Sequence, residues 1–211
     1  MTHCTILLDG KGVDKTLDSI ICSAKHLATV DRGLGVAYRL EKVPEVAFLG
    51  PSTKDDQSRD WVGFSGGRVI DYGMGNGSDG FVQALEWALE AGAFDGIDLL
   101  SPFSGDPLAD HGRLISVAQH SVHGIPIQIL ESHHRWILID GEFTLNAKPG
   151  TKFSLLPVSE ISVDIAIKSG VRDITHKGLT SGTTALFDIK TQHDVTSIIV
   201  SEGRVIARLP R

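Results

Sequence analysis

The stretch that decides the fold is Ser78-Asp79-Gly80-Phe81-Val82-Gln83-Ala84-Leu85-Glu86-Trp87-Ala88-Leu89-Glu90-Ala91-Gly92, with Ile97-Asp98-Leu99-Leu100 close behind it. Val82, Leu85 and Leu89 recur at helical spacing while Glu86 and Glu90 face away, so the spacing predicts a helix over roughly 80–91. Ser78 or Asp79 caps its first amides and Gly92 ends it. The apolar run after it reads as a buried strand, so helix and strand alternate here.

That alternation extends back to the start of the chain. Thr5-Ile6-Leu7-Leu8, Leu27-Ala28-Thr29-Val30, Val46-Ala47-Phe48-Leu49 and Val69-Ile70 read as strands, with further helices near 15–26, 33–41 and 110–122. The pattern predicts a three-layer α/β/α domain with a mostly parallel sheet over residues 1–125. From residue 126 the helical period stops. Ile127–Leu130, Trp136–Ile139, Phe153–Leu156, Val163–Ile167, Ala185–Ile189, Ser197–Val200 and Val205–Leu209 follow one another across turns such as Asp140-Gly141, Pro149-Gly150, Ser169-Gly170 and Glu202-Gly203. These predict a second domain, an antiparallel β-sandwich over residues 126–211.

Composition bounds what such a chain does. Its 211 residues carry 20 Lys+Arg against 26 Asp+Glu, a formal charge of −6, with 41% hydrophobic and 22% charged residues. That apolar content excludes disorder, and the acidic balance argues against nucleic acid as the main partner. No apolar run approaches the roughly 20 residues that span a bilayer. The first residues lack the basic segment and apolar core of a secretory signal, so a cytoplasmic protein is expected. Cys4 and Cys22, the two cysteines, both sit in apolar segments and are expected as reduced core thiols.

In an open parallel sheet, ligands bind beyond the carboxyl ends of the strands. The residues there are Asp9-Gly10, Asp31-Arg32-Gly33, Gly50 with Asp55-Asp56, Asp71, and Ser101 leading to Asp106 and Asp110-His111. Carboxylates gathered on one rim repel unless a cation joins them, and hard oxygen ligands suit Mg²⁺ with phosphate completing the shell. Gly75-Asn76-Gly77-Ser78-Asp79-Gly80 matches the glycine pattern of dinucleotide loops, but it follows a late strand and no ribose-binding acid ends the next one. His120 and His123 share a helix face, and His133-His134 sit in a turn, without the spacing of a zinc site.

The layout resembles the thiamin pyrophosphokinase family along nearly the whole chain. Val30-Asp31-Arg32-Gly33 is similar to that family's Asp-Gly-Gly turn, and Val43–Phe48 to the run entering its Gly-Asp-Phe-Asp-Ser loop. Ser78-Asp79 before Ala84–Leu89 resembles its Thr-Asp and the helix that follows. Leu108-Ala109-Asp110-His111 resembles its Gly-Gly-Arg-x-Asp-His motif. Ile137–Gly141 and Phe153–Pro157 resemble its first sandwich strands, and Gly182–Phe187 stands where it has Gly-Thr-Ser-Asn-Glu. There are also departures. Both aspartates of the Gly-Asp-Phe-Asp-Ser loop are missing from Leu49-Gly50-Pro51-Ser52-Thr53-Lys54, the motif arginine is replaced, and Ala185 and Leu186 stand for Asn and Glu.

The resemblance implies a homodimeric transferase that moves the pyrophosphoryl group of ATP onto the hydroxyl of thiamine, with Mg²⁺, releasing AMP. It implies catalytic roles for Asp31, Asp79, Asp110 and His111, and metal ligation by Asp79 with Asp55 and Asp56 as substitutes for the lost aspartates. Arg32, Gly33, Gly50 and Arg113 would meet the nucleotide, and Ser181, Thr183 and Thr184 a thiamine-like acceptor from the neighbouring subunit. The missing aspartates leave a second expectation open, a non-catalytic nucleotide- or thiamine-like-ligand-binding protein on the same scaffold. A dehydrogenase using Gly75–Gly80 is a third, remote one.

Overall fold

The structure, a computed structural model, describes residues 2–8, 15–51, 53, 56–73, 79–91, 94–121, 125–159, 162–168, 173–181 and 186–211. The chain divides into two compact units, Met1–Ser132 and His133–Arg211.

The first unit alternates β1 (His3–Leu7), α1 (Lys15–Ser23), β2 (His26–Val30), α2 (Gly33–Arg39), β3 (Val46–Leu49), α3 (Asp56–Phe64), β4 (Arg68–Asp71), α4 (Gly80–Glu90), β5 (Gly96–Leu100), α5 (Pro107–His120) and β6 (Ile127–Leu130). Its strands run β6-β5-β1-β2-β3-β4, and every neighbouring pair is parallel. All their carboxyl ends therefore meet one edge. The order reverses direction between β1 and β5, the kind of switch point where a crevice opens in such sheets.

The residues of β1, β2, β3 and β5 are mostly buried on both faces because helices cover both, whereas the edge strand β4 is partly exposed. Leu17 and Ile21 of α1 pack with Leu7, Leu27, Leu100 and Leu130, and Val62 of α3 joins Leu34, Ala47 and Leu49. The pleat turns Phe48 to the other face, where Trp87 of α4 meets it edge-on at 6.4 Å. Phe81, Ala84, Leu85 and Ala88 form the buried stripe of α4. Asp79 is the cap of this helix, its carboxylate accepting from the Phe81 amide at 2.9 Å.

In this unit two expectations are corrected and one unexpected helix is added. Ile127–Leu130, placed among antiparallel strands, pairs in parallel with β5, because a short apolar run does not encode the direction of its partner. Helix α3 went unread, since its buried side is only Ser58 and Val62. Cys22 is exposed on α1, whereas Cys4 is buried as expected.

The second unit holds β7 (His134–Ile139), β8 (Glu142–Asn146), β9 (Lys152–Pro157), β10 (Val163–Lys168), β11 (Ile174–Leu179), β12 (Ile189–Lys190), β13 (Val195–Glu202) and β14 (Val205–Pro210). They form two antiparallel arrays, β12-β9-β14-β7 and β11-β10-β13-β8. Alternate residues from both arrays, including Ile139, Phe153, Leu155, Ile165, Ile198 and Val205, share one core, the arrangement of a sandwich. Strands β8 and β11 were not expected, because each buries few of its side chains. Of Ala185–Ile189, only Ile189 is in a strand among the described residues.

Candidate functional site

The carboxyl edge of the first unit is held together by Asp31. This residue follows β2 with φ 48, a left-handed conformation that aspartate tolerates better than most residues. Its Oδ1 accepts from the Gly50 amide at 2.8 Å and from Thr53 Oγ1 at 2.8 Å. Its Oδ2 accepts from the Tyr72 hydroxyl. One carboxylate thus ties the ends of β2, β3 and β4.

The Tyr72 ring explains two glycines. A Cβ on Gly50 would lie 2.8 Å from its Oη, and one on Gly80 would lie 2.3 Å from its Cε1. The ring therefore brings the start of α4, with Asp79, beside the Asp31 network. Gly33 is fixed in another way: a Cβ there would come 2.3 Å from the Leu7 carbonyl oxygen, so its lack of a side chain lets α2 start close against β1. Arg32 precedes it, exposed and making no side-chain cap.

Beside this network lies a cleft of about 310 Å³ lined by Leu49, Gly50, Pro51, Thr53, Arg59, Asp71, Tyr72 and Gly73. Arg59 of α3 reaches across it to Asp71 in a two-pronged ion pair, Nη1 to Oδ1 at 2.7 Å and Nη2 to Oδ2 at 2.5 Å. The guanidinium holds the Asp71 carboxyl below the usual carboxylate range, and Asp71 in turn raises Arg59.

A second group gathers where β5 passes into α5. Ser101 ends the strand with φ 52. Asp110 accepts from the Ser104 amide at 2.7 Å, the Ser104 hydroxyl at 3.0 Å and the Gly105 amide at 3.1 Å. Asp106 caps α5 through the amides of Leu108 and Ala109. Arg113 donates to the Pro102 carbonyl, and His111 is exposed on the same helix.

The site residues read from the sequence fall into separate groups. Asp31, Gly50 and Asp79 are drawn together around Tyr72, while Asp110, His111 and Arg113 belong to the β5–α5 junction. Asp56 opens α3 and is exposed. Ser181 lies in the second unit, where its hydroxyl donates to the Ser159 carbonyl at 3.0 Å. Asp55, Thr183, Thr184, His123 and Gly75–Ser78 lie outside the described residues. Among the described residues, no three His, Cys, Asp or Glu side chains gather to hold a metal ion. His120 instead bonds the Ser116 carbonyl, and His134 the Arg208 guanidinium.

Sequence reasoning passed over Tyr72, Thr53 and Arg59. Tyr72 directly follows the rim acid Asp71, but a lone aromatic there reads as packing. Arg59 sits on the helix whose apolar period is too weak to see.

No family model matches the sequence, and no curated protein matches it at the sequence level. Solved structures do match it in shape. A thiamine pyrophosphokinase from Bacillus subtilis superposes with a TM-score of 0.81 at 15% identity, covering 99% of this chain and 98% of that one. A thiamin pyrophosphokinase from Geobacillus thermodenitrificans gives 0.77 at 19% identity, covering 99% and 97%. The thiamin pyrophosphokinase from Candida albicans gives 0.80 at 9% identity, covering 99% and 88%. At these identities the likeness is one of fold, and the fold this chain adopts from end to end is that of the thiamine pyrophosphokinases.

Proposed function

We propose that this chain is a divergent member of the thiamine pyrophosphokinase family, transferring pyrophosphate from ATP to the hydroxyl of thiamine or a related alcohol. The observation that carries the reading is the fold likeness along 99% of the chain to a thiamine pyrophosphokinase. The order of Asp31, Asp79 and Asp110-His111 along the carboxyl edge supports it.

In this reading the acceptor oxygen attacks the β-phosphorus of ATP. The bond from that phosphorus to the α–β bridging oxygen breaks, and AMP leaves with the electron pair. The acceptor proton passes to His111, exposed near the start of α5. Arg32, exposed at the start of α2, offsets phosphate charge, as Arg113 would if it turned from Pro102. Ser181, Thr183 and Thr184 meet the acceptor, supplied from a second copy of the chain. The described residues do not fit magnesium. Asp31 and Asp110 already accept hydrogen bonds within the protein, and no acid cluster forms among the described residues.

That occupancy of the carboxylates favours a second reading, in which the same edge binds a nucleotide or heterocyclic ligand without turning it over. One experiment divides the two. Purified protein is given ATP, Mg²⁺ and thiamine, and AMP is measured alongside the melting temperature. AMP that depends on thiamine supports transfer. A ligand-dependent rise in melting temperature without AMP supports binding alone, about 2.7 kcal/mol of stabilisation for a ligand at 100 times its Kd.

A further inference from the structure

Resting on the nucleotide reading above, we propose that the cleft at the ends of β3 and β4 takes the phosphate chain of a nucleoside triphosphate directly on the Arg59 guanidinium, without a divalent cation. The cleft offers no set of acids for a metal among the described residues. Asp31 is engaged with Gly50, Thr53 and Tyr72, and Asp71 with Arg59. Of the residues lining the cleft, Arg59 is the cation; both its prongs rest on Asp71, and the charges of Asp56 and Asp60 also act on it.

A guanidinium that binds a carboxylate through two parallel N–H groups has the geometry to bind two phosphate oxygens in the same way. The exchange is cheap here. The Arg59 side chain is 40% exposed and that of Asp71 62%, and an ion pair that open to water contributes little stability. Asp71 closes β4, and a Cβ placed on Gly73 would meet nothing within 4 Å among the described residues. The volume of about 310 Å³ falls at the lower end of small-ligand pockets, roughly 300–1,000 Å³. The Thr53 hydroxyl and the bare backbone of Gly50 and Gly73 complete the lining. In this arrangement Asp71 is a built-in competitor that the phosphate displaces.

Calorimetric titration of ATP into the full chain in EDTA tests this, with Arg59→Ala, Arg59→Lys and Asp71→Asn beside the parent. The parent binds without metal, Arg59→Ala weakens binding at least tenfold, Arg59→Lys falls between, and Asp71→Asn tightens it several-fold. Arg59→Ala and Asp71→Asn break the same ion pair, so a merely structural role moves both in one direction; opposite directions identify a phosphate contact. Circular dichroism of each variant establishes that it is folded. Binding that requires Mg²⁺, or that falls in Asp71→Asn as in Arg59→Ala, overturns the proposal. So does unchanged affinity in Arg59→Ala. If thiamine-dependent AMP still forms in Arg59→Ala at the parent rate, the transfer reading stands and this one fails. If ATP binds in EDTA through Arg59 but no AMP forms with Mg²⁺, the reverse holds.

Discussion

Tyr72 lies between two glycines, with its hydroxyl on Asp31 and its ring against the start of α4. Removing that hydroxyl leaves the half-buried Asp31 carboxylate short of a donor. Tyr72→Phe is therefore expected to lower stability by about 1–3 kcal/mol, read from urea unfolding at neutral pH. Gly80→Ala drives a methyl into the ring and is expected to destabilise as well, whereas Gly35→Ala, with nothing within 4 Å among the described residues, is not. The thiols divide as sharply. Burial, with the charges of Glu45 and Asp98, pushes the Cys4 thiol up to about 12, while Cys22 is exposed. Native protein should yield one fast equivalent with a thiol reagent at pH 8 and denatured protein two. Asp31 was legible as a rim residue from its place after an apolar run. Its partners were not, because they stand 19, 22 and 41 positions away and only the strand order brings them to it.

The extent, Asp79 cap and acidic face of helix α4 were read correctly, but of the expected stripe Val82, Leu85 and Leu89 only Leu85 is buried, and Phe81, Ala84 and Ala88 complete the buried side. Helix α5, read as 110–122, starts earlier than expected, at Pro107, where Asp106 accepts from two amides and proline occupies the first turn. Asp106→Ala is expected to cost about 1 kcal/mol, within a range of roughly 0.5–2. Its effect on thermal unfolding should exceed that of a neighbouring exposed change such as Leu108→Ala. Strand β6 shows a different kind of limit. Ile127–Leu130 is apolar enough to be a strand of either kind, and only its register with Ile97–Leu100 reveals a parallel partner. Helix α3 was invisible for the opposite reason, and with it Arg59, the cation that meets the cleft.

Across the whole molecule, the alternation of apolar runs with helices, then of runs with turns, carries both architectures, and the likeness of fold to thiamine pyrophosphokinases extends over 99% of the chain. No helix among the described residues is long and apolar enough to cross a membrane. Chemistry was less legible than shape. The sequence displays acids after successive strands, but whether an acid faces a ligand or holds a loop depends on donors contributed from elsewhere in the fold. Asp110, occupied by Ser104 and Gly105, is the plainest case. The most direct measurement follows phosphorus resonances of ATP incubated with the protein, Mg²⁺ and thiamine. The account predicts AMP and a diphosphate ester of the alcohol rising together in equal amounts. ATP that stays intact, or that yields ADP and phosphate at a rate indifferent to thiamine, contradicts it.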